Sequence, residues 1–215
     1  MPGNELLISL LGARRVWCDV KEVAPTIERE LSKLRLEGKR PYFIKGGGHD
    51  LPGVFAYIQA YREMLGQISE PFDYIFLASG TGTTQAGLII GQALSGGREK
   101  IIGVSTARLA WRGNQEIENC VRWYSDYSGQ RPSIPSYLFC DDYLCGGNRG
   151  YHPGIGEVIR EALGEYSLVL DPFYTGKAFY GMREYLTANG IKNKRILFWH
   201  TGGQPMLLTS AGRRV

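Results

Sequence analysis

The stretch Tyr74-Ile-Phe-Leu-Ala78, followed by Ser79-Gly-Thr-Gly-Thr-Thr84, residues 85–94 and Ile101-Ile-Gly-Val-Ser105, decides the fold. An unbroken apolar run that stops at small residues reads as a strand buried on both faces. The loop after it holds only Ser, Gly and Thr. Residues 85–94 carry the helical period, and 101–105 read as a second buried strand. Strand, loop, helix, strand is a βαβ unit, and a crossover of that length joins parallel neighbours.

Working outward toward the N-terminus, residues 52–65 read as an amphipathic helix and 42–44 as a short strand running into Gly46-Gly47-Gly48. Residues 25–37 are helical, with Ile27, Leu31 and Leu34 on one face and Gly38 at the end. Residues 15–20 read as a strand, and 5–11 as a helix with Asn4 as its N-cap. Toward the C-terminus the spacing predicts a helix around 115–125, a strand at 136–140, a Gly-rich loop over 141–153 and a helix over 157–163. A strand at 168–170 ends on Asp171-Pro172, a helix covers 176–186, and a strand over 195–199 leads into His200-Thr-Gly-Gly203. This alternation predicts an α/β fold, a mainly parallel open sheet flanked by helices. The break at Lys45-Gly-Gly-Gly48 divides it into a small unit, 1–44, and a large one, 45–215.

Composition narrows the function classes. Hydrophobic residues make up 43% of the 215, as in an ordinary globular protein. The net charge is +4, and the basic residues are scattered apart from 192–195 and Arg213-Arg214, which reads as a solvated surface without nucleic-acid binding. Cys18, Cys120, Cys140 and Cys145 form no C-x-x-C pair and fit no zinc template or disulfide framework. With no basic stretch leading into a long apolar run, and no apolar run of membrane-spanning length, a cytoplasmic protein is expected.

The loop 79–84 is the first candidate site. A helix N-terminus has unpaired amides and a partial positive charge that favour an anion. Glycines let the backbone approach a phosphate, and Thr81, Thr83 and Thr84 offer hydroxyls. No Walker lysine follows, and there is no G-x-G-x-x-G, so a single phosphate monoester fits better than a nucleotide or dinucleotide. A tight βα turn of small packing residues is the competing reading of the same loop. His200, beside Trp199 at the end of an apolar strand, reads as a half-buried histidine with its hydrogen bonds satisfied.

Three ordered motifs carry a resemblance. Ser79-Gly-Thr-Gly-Thr-Thr-Gln-Ala-Gly87, Leu170-Asp-Pro-Phe-Tyr-Thr-Gly-Lys-Ala178 and Phe198-Trp-His-Thr-Gly-Gly203 resemble the signatures of the D-cysteine desulfhydrase and aminocyclopropane-carboxylate deaminase family. Asn4-Glu-Leu-Leu with Leu11-Gly-Ala13, and Lys45-Gly-Gly-Gly48 with Gly53, resemble further segments of it. The resemblance implies fold type II of the pyridoxal-phosphate (PLP) enzymes, the tryptophan synthase β-like fold, in incomplete form with residues 1–44 as a remnant of the small domain. It implies PLP as cofactor, its phosphate held by Ser79, Gly80, Thr81, Gly82, Thr83 and Thr84, its ring near Tyr174 and Thr175, and its pocket closed by Thr201, Gly202 and Gly203. Thr175 stands where the deaminase branch has a glutamate, and threonine is the desulfhydrase-like choice. A hydroxyl adds no charge beside the ring nitrogen, which makes a weaker electron sink suited to α,β-elimination.

The family's N-K-x-R-K-like segment, whose lysine forms the Schiff base, and its S-N-H/Q-x-R segment do not occur in these residues. Lys45 and Lys177 are poor replacements by position, so no catalytic residue is assigned. Asn148 stands where relatives often carry a tyrosine after the Gly pair, with Tyr143 and Tyr151 nearby. The expectation is the C-terminal portion of a PLP-dependent amino-acid lyase or deaminase resembling D-cysteine desulfhydrase, whose α,β-elimination releases ammonia, sulfide and pyruvate, with the amino-acid substrate left open. Alone it is expected to be inactive, and to need an N-terminal partner chain or a homo-oligomer. The alternative is a non-catalytic PLP- or phosphate-ester-binding or interaction protein derived from that family.

Overall fold

The computed structural model describes residues 3–147 and 150–208. Four strands, β1 (Tyr74–Ser79), β2 (Lys100–Ser105), β3 (Leu138–Cys140) and β4 (Ile196–Trp199), form one sheet in the order β3-β2-β1-β4. Every pairing is parallel, with Ile75 opposite Ile101 and Leu197, and Val104 opposite Cys140. The expected mainly parallel sheet is present.

The apolar run of β1 is explained by burial on both faces. Ile75 and Leu77 pack on one side with Val54, Ile58 and Tyr61 of α3 (Leu51–Gln67) and with Leu88 and Ile89 of α4 (Thr83–Ser95). α5 (Ala110–Ser128) adds Ile117, Cys120 and Tyr124 to the same layer. Phe76, Ile102 and Val104 face the other way, onto Ala178 and Met182 of α7 (Thr175–Ala188). Period-two alternation thus feeds two cores, and neither face of the strand needs a polar residue. α6 (Pro153–Tyr166) packs beside α7 through Ile155, Ile159 and Ala162.

α3 and α4 approach so closely that a side chain on Gly87 would place Cβ 2.5 Å from Tyr57 Cβ and 2.7 Å from the Val54 carbonyl. The crossing fixes where the N-terminus of α4 lies. Gly87→Val is therefore expected to lower the unfolding free energy by about 2 kcal/mol or more, since overpacked cores typically lose about 1–3 kcal/mol. Urea denaturation would show it as a lower midpoint at unchanged slope; an unchanged midpoint would mean that the two helices have room to part.

Three expected strands do not form. Residues 13–19 are irregular and lead into a 3-10 turn at Val20–Glu22, and 39–45 are irregular as well. Trp17, Val20 and Ile44 are exposed there, and an apolar run without a neighbouring strand has no ladder to join. Residues 168–170 form no strand because other groups take their backbone: Leu168 N–H donates to the Ala162 carbonyl, and the Val169 carbonyl accepts from His200 Nε2 at 2.9 Å. At the N-terminus, α1 (Gly3–Leu10) contains Asn4 rather than being capped by it, and it packs against α8 (Gln204–Leu207), a single turn not foreseen in the sequence. α2 (Val23–Leu36) matches the expected helix to within two residues at its start. Arg213-Arg214 lie outside the described residues. Among the described residues no helix is long and apolar enough to cross a membrane.

Candidate functional site

In an open parallel sheet, ligands bind beyond the carboxyl ends of the strands, where loops from neighbouring strands diverge. Here the loops that leave β1, β2 and β4 meet in one cleft of about 350 Å³, lined by Gly80, Thr106, Tyr174, Thr201 and Gly202, with Asn4 and Met206 across from them. A small-molecule site typically spans about 300–1,000 Å³.

The loop after β1 is built to present backbone. Gly82 ends it with φ 84°, a left-handed conformation that glycine adopts without strain, and it caps α4. A Cβ on Gly82 would stand 3.2 Å from Ile117 Cγ1 and 3.5 Å from Glu116 Cβ, so α5 seals the back of the turn. The first backbone bond of α4 runs from Ala86 N–H to the Gly82 carbonyl at 2.8 Å, and the amides before Ala86 have no acceptor inside the helix. The Arg108 guanidinium donates to the Gly80 carbonyl and fixes that peptide from the loop after β2. Ser79 Oγ and Thr106 Oγ1 are buried and have no hydrogen-bond partner among the described residues. Thr106 Oγ1 would be 3.3 Å from a Cβ on Gly80. Thr106 lines the cleft, and an orphaned hydroxyl at the mouth of a helix N-terminus is what a bound oxyanion would satisfy; the Ser79 side chain instead lies beside Gly103 and is not among the cleft-lining residues.

The sequence-predicted residues divide into two groups. Gly80, Tyr174, Thr201 and Gly202 line the cleft together. Thr81 and Thr83 turn toward each other, Oγ1 to Oγ1 3.0 Å, and Thr83 Oγ1 lies 2.6 Å from His49 Nδ1. Thr84 sits half-buried in the first turn of α4, beside fully enclosed Gln85. Thr175 is not among the cleft-lining residues: its hydroxyl donates to Asp171 Oδ2 at 2.8 Å and accepts from Asp171 N–H at 3.0 Å. Asp171 is fully buried and also receives the amides of Phe173, Tyr174 and Thr175 at 2.8–2.9 Å. Rather than merely ending a strand, it fastens the start of α7 and so places Tyr174 at the cleft. Asn148 lies outside the described residues.

Neither lysine raised by sequence is among the residues that line the cleft. Lys177 is fully buried, and its Nζ donates to the carbonyls of Gly147 at 2.7 Å, Leu144 at 3.1 Å and Thr106 at 3.4 Å. Burial pulls its ammonium below the usual lysine range, against Cys145 and Asp171, which pull it back up. It ties the Gly-rich loop to the end of β2. Lys45 pairs with Asp50 at 3.2 Å and lies over the Trp123 ring. His200 uses both ring nitrogens: Nε2–H donates to the Val169 carbonyl at 2.9 Å, and Nδ1 accepts from Gly202 N–H at 3.2 Å. It holds the turn that forms one cleft wall, as its sequence setting suggested. Thr106, His49 and Glu116 were not foreseen, because each reaches the site from a distant element with no local motif to mark it.

The family model for pyridoxal-phosphate dependent enzymes matches residues 1–202. The chain belongs to that family. It is 31% identical over 206 residues to a putative 1-aminocyclopropane-1-carboxylate deaminase of Pyrococcus horikoshii, a match that covers 94% of this chain and 62% of that protein. It is 28% identical to a D-cysteine desulfhydrase of Yersinia enterocolitica, with 95% of this chain and 63% of that protein covered. Among solved structures, an ACC deaminase homologue superimposes with TM-score 0.87 at 29% identity, covering 99% of this chain and 65% of that one. The chain thus spans somewhat over three-fifths of the length of these relatives, and it shares their tryptophan synthase β-like fold. Pyridoxal phosphate is the cofactor of the family, and the cleft with the orphaned Thr106 hydroxyl and the helix terminus fits a phosphate ester.

Proposed function

We propose that these residues form the phosphate-binding and ring-facing part of the cofactor site of an amino-acid lyase or deaminase similar to D-cysteine desulfhydrase. The observation that carries the reading is the convergence of the β1, β2 and β4 loops on one cleft at the N-terminus of α4, with Thr106 Oγ1 buried there and unpartnered. In this reading Ser79 to Thr84 receive the phosphate through amides and hydroxyls. Tyr174 and the Thr201-Gly202 turn flank the ring, and Lys177 holds the Gly-rich loop against it. Bound pyridoxal phosphate supplies an electron sink for bond breaking at the α-carbon of an amino acid. Thr175, where the deaminase branch has a glutamate, carries no charge, which supports desulfhydrase-like elimination over deaminase chemistry; its hydroxyl is spent on Asp171, away from the cleft lining. The committed amine of Lys177, and the absence of Lys45 from the cleft lining, support an amine supplied from beyond the described residues, by a partner chain or a further segment. They equally favour the second reading, in which the chain binds the phosphate ester without chemistry. The exposed apolar side chains Trp17, Val20 and Leu36 support treating the stretch 1–44 as a unit apart from 45–215, with α1 as its contact to α8.

The phosphate should dominate recognition. A hydrogen bond to a charged group contributes about 1.5–3 kcal/mol, so the chain is expected to bind pyridoxal phosphate at least about tenfold more tightly than pyridoxal. Absorbance titration would measure both, with inorganic phosphate as competitor. Equal affinities for the two compounds would overturn the reading.

A further inference from the structure

A chain of polar side chains runs from α5 into the loop 79–84. Arg112 lies 2.6 Å from Glu116 Oε1, and Glu116 Oε2 lies 3.2 Å from His49 Nε2. His49 Nδ1 meets Thr83 Oγ1 at 2.6 Å, and Thr83 Oγ1 meets Thr81 Oγ1 at 3.0 Å. The two residues that set the histidine, Glu116 and Thr83, are nearly enclosed, at 6% and 3% exposure. The turn that carries His49 is locked onto the loop: a Cβ on Gly47 would lie 2.9 Å from Thr81 Cγ2, and one on Gly53 would lie 3.1 Å from Thr83 Cγ2.

Hydroxyls donate one proton each, so the charge of the histidine sets the direction of the whole chain. Glu116 accepts, which keeps a proton on Nε2 in either state. When His49 is neutral, Nδ1 must accept, so Thr83 donates to it, Thr81 donates to Thr83, and Thr81 is left with only lone pairs to present. When His49 is protonated, Nδ1–H donates to Thr83, Thr83 donates to Thr81, and the Thr81 proton is released for an anion. We propose that His49 is a positioning residue of the phosphate cup, whose protonated form turns the Thr83 and Thr81 hydroxyls toward the anion and whose neutral form turns them away.

The surroundings support this role. Glu116 and Arg112 face the ring from α5. Cys120, on the same helix, lies 4.0 Å from Nδ1, and burial holds its thiol at about 12, so it remains a weak neutral partner. Asp50 and Lys45 flank it on its own turn as an ion pair, and Trp123 packs against its ring at 5.1 Å. The Glu116 carboxylate is pushed up by burial, but hydrogen bonds from Asn119 and His49 and the charge of Arg112 outweigh this and leave it below the usual range. It therefore favours the acceptor role toward His49 Nε2. By linkage, an anion bound to the protonated form must raise the pH at which His49 loses its proton, and protonation must tighten the anion by the same factor.

The inference rests on the reading of the loop as a phosphate cup, and the test separates the two. Sulfate is the probe, because its charge does not change between pH 5 and 8 while that of a phosphate ester does. The three histidines, His49, His152 and His200, are followed by NMR titration with sulfate and with chloride at matched ionic strength. The expected result is that sulfate moves the His49 midpoint to higher pH by an amount equivalent to about fivefold or more in affinity, and leaves His152 and His200 in place. Thr81→Val, which keeps the shape of the side chain and removes its hydroxyl, is expected to abolish most of that movement. If the chain binds pyridoxal phosphate but sulfate leaves the His49 midpoint unmoved, the relay is wrong and the cup stands. If it binds neither anion, both fall. Equal movement of all three histidines would also overturn the relay, since it would report only a general field.

Discussion

The purified 215-residue chain, supplied with pyridoxal phosphate and D-cysteine, is expected to release sulfide no faster than free pyridoxal phosphate does. A positioned general base contributes typically about 10²–10⁴-fold by itself, and orientation of the reacting groups adds more. Neither is available from the amines discussed above. The Lys177 ammonium is buried among three carbonyls, those of Gly147 and Leu144 in the Gly-rich loop and that of Thr106 after β2, and withdrawing it would untie the loop from the end of β2. Lys45 belongs to the ion pair with Asp50, on the turn that carries His49. A segment bearing an N-K-x-R-K-like sequence, added as a second chain, is expected to raise the rate well above that background. The opposite outcome is turnover by the chain alone that Lys45→Ala or Lys177→Ala abolishes. It would make one of these lysines the catalytic amine.

Asp171→Ala is expected to lower the unfolding free energy by about 3 kcal/mol or more, since several buried donors lose their acceptor at once and each costs about 1–3 kcal/mol before relaxation. The carboxylate is fully buried and receives three backbone amides and the Thr175 hydroxyl. Alanine leaves all four donors without this acceptor, and each orphaned buried donor costs about 1–3 kcal/mol before relaxation. Asp171→Asn keeps one acceptor oxygen and should lose roughly half as much, again at about 1–3 kcal/mol. The effect should extend beyond the helix start. A Cβ on Gly203 would stand 2.4 Å from Asp171 Oδ2, so the turn after β4 rests directly on this carboxylate. The second and third sequence motifs therefore meet at Asp171, and its loss should loosen Tyr174 and Gly202 on two walls of the cleft. Urea denaturation of both variants provides the check. Two midpoints close to that of the unsubstituted chain would show that water replaces the carboxylate at little cost.

The contrast between what could and could not be read in the sequence follows from the range of the interactions. β1 and β2 were legible because burial on both faces leaves an unbroken apolar run, a signal carried wholly by neighbouring residues. Residues 42–44 are a shorter run and 15–20 one broken by Arg15 and Asp19, and a strand exists only where another strand lies beside it, which the sequence cannot show. Residues 168–170 failed for a more specific reason: His200, 31 residues away, takes the Val169 carbonyl. The loop 79–84 was legible as an anion site because strand, glycines and helix are contiguous. Thr106, which adds the orphaned hydroxyl, comes from the next strand and has no motif. The His49–Glu116 contact spans 67 residues and joins a turn to the middle of α5, beyond the reach of any local pattern. Thr175 shows the reverse case: its motif was recognised, but only the structure shows its hydroxyl spent on Asp171.

The most direct measurement is residue-resolved. Backbone amide spectra of the chain would be recorded with pyridoxal phosphate and with pyridoxal at equal concentration. If the loop after β1 is a phosphate cup, the amides of Gly80 to Thr84 shift markedly with pyridoxal phosphate and little with pyridoxal, while amides of α6, remote from that loop, stay in place under both. Equal shifts of Gly80 to Thr84 under the two compounds, or none under either, would show that the loop is only a tight turn of small packing residues.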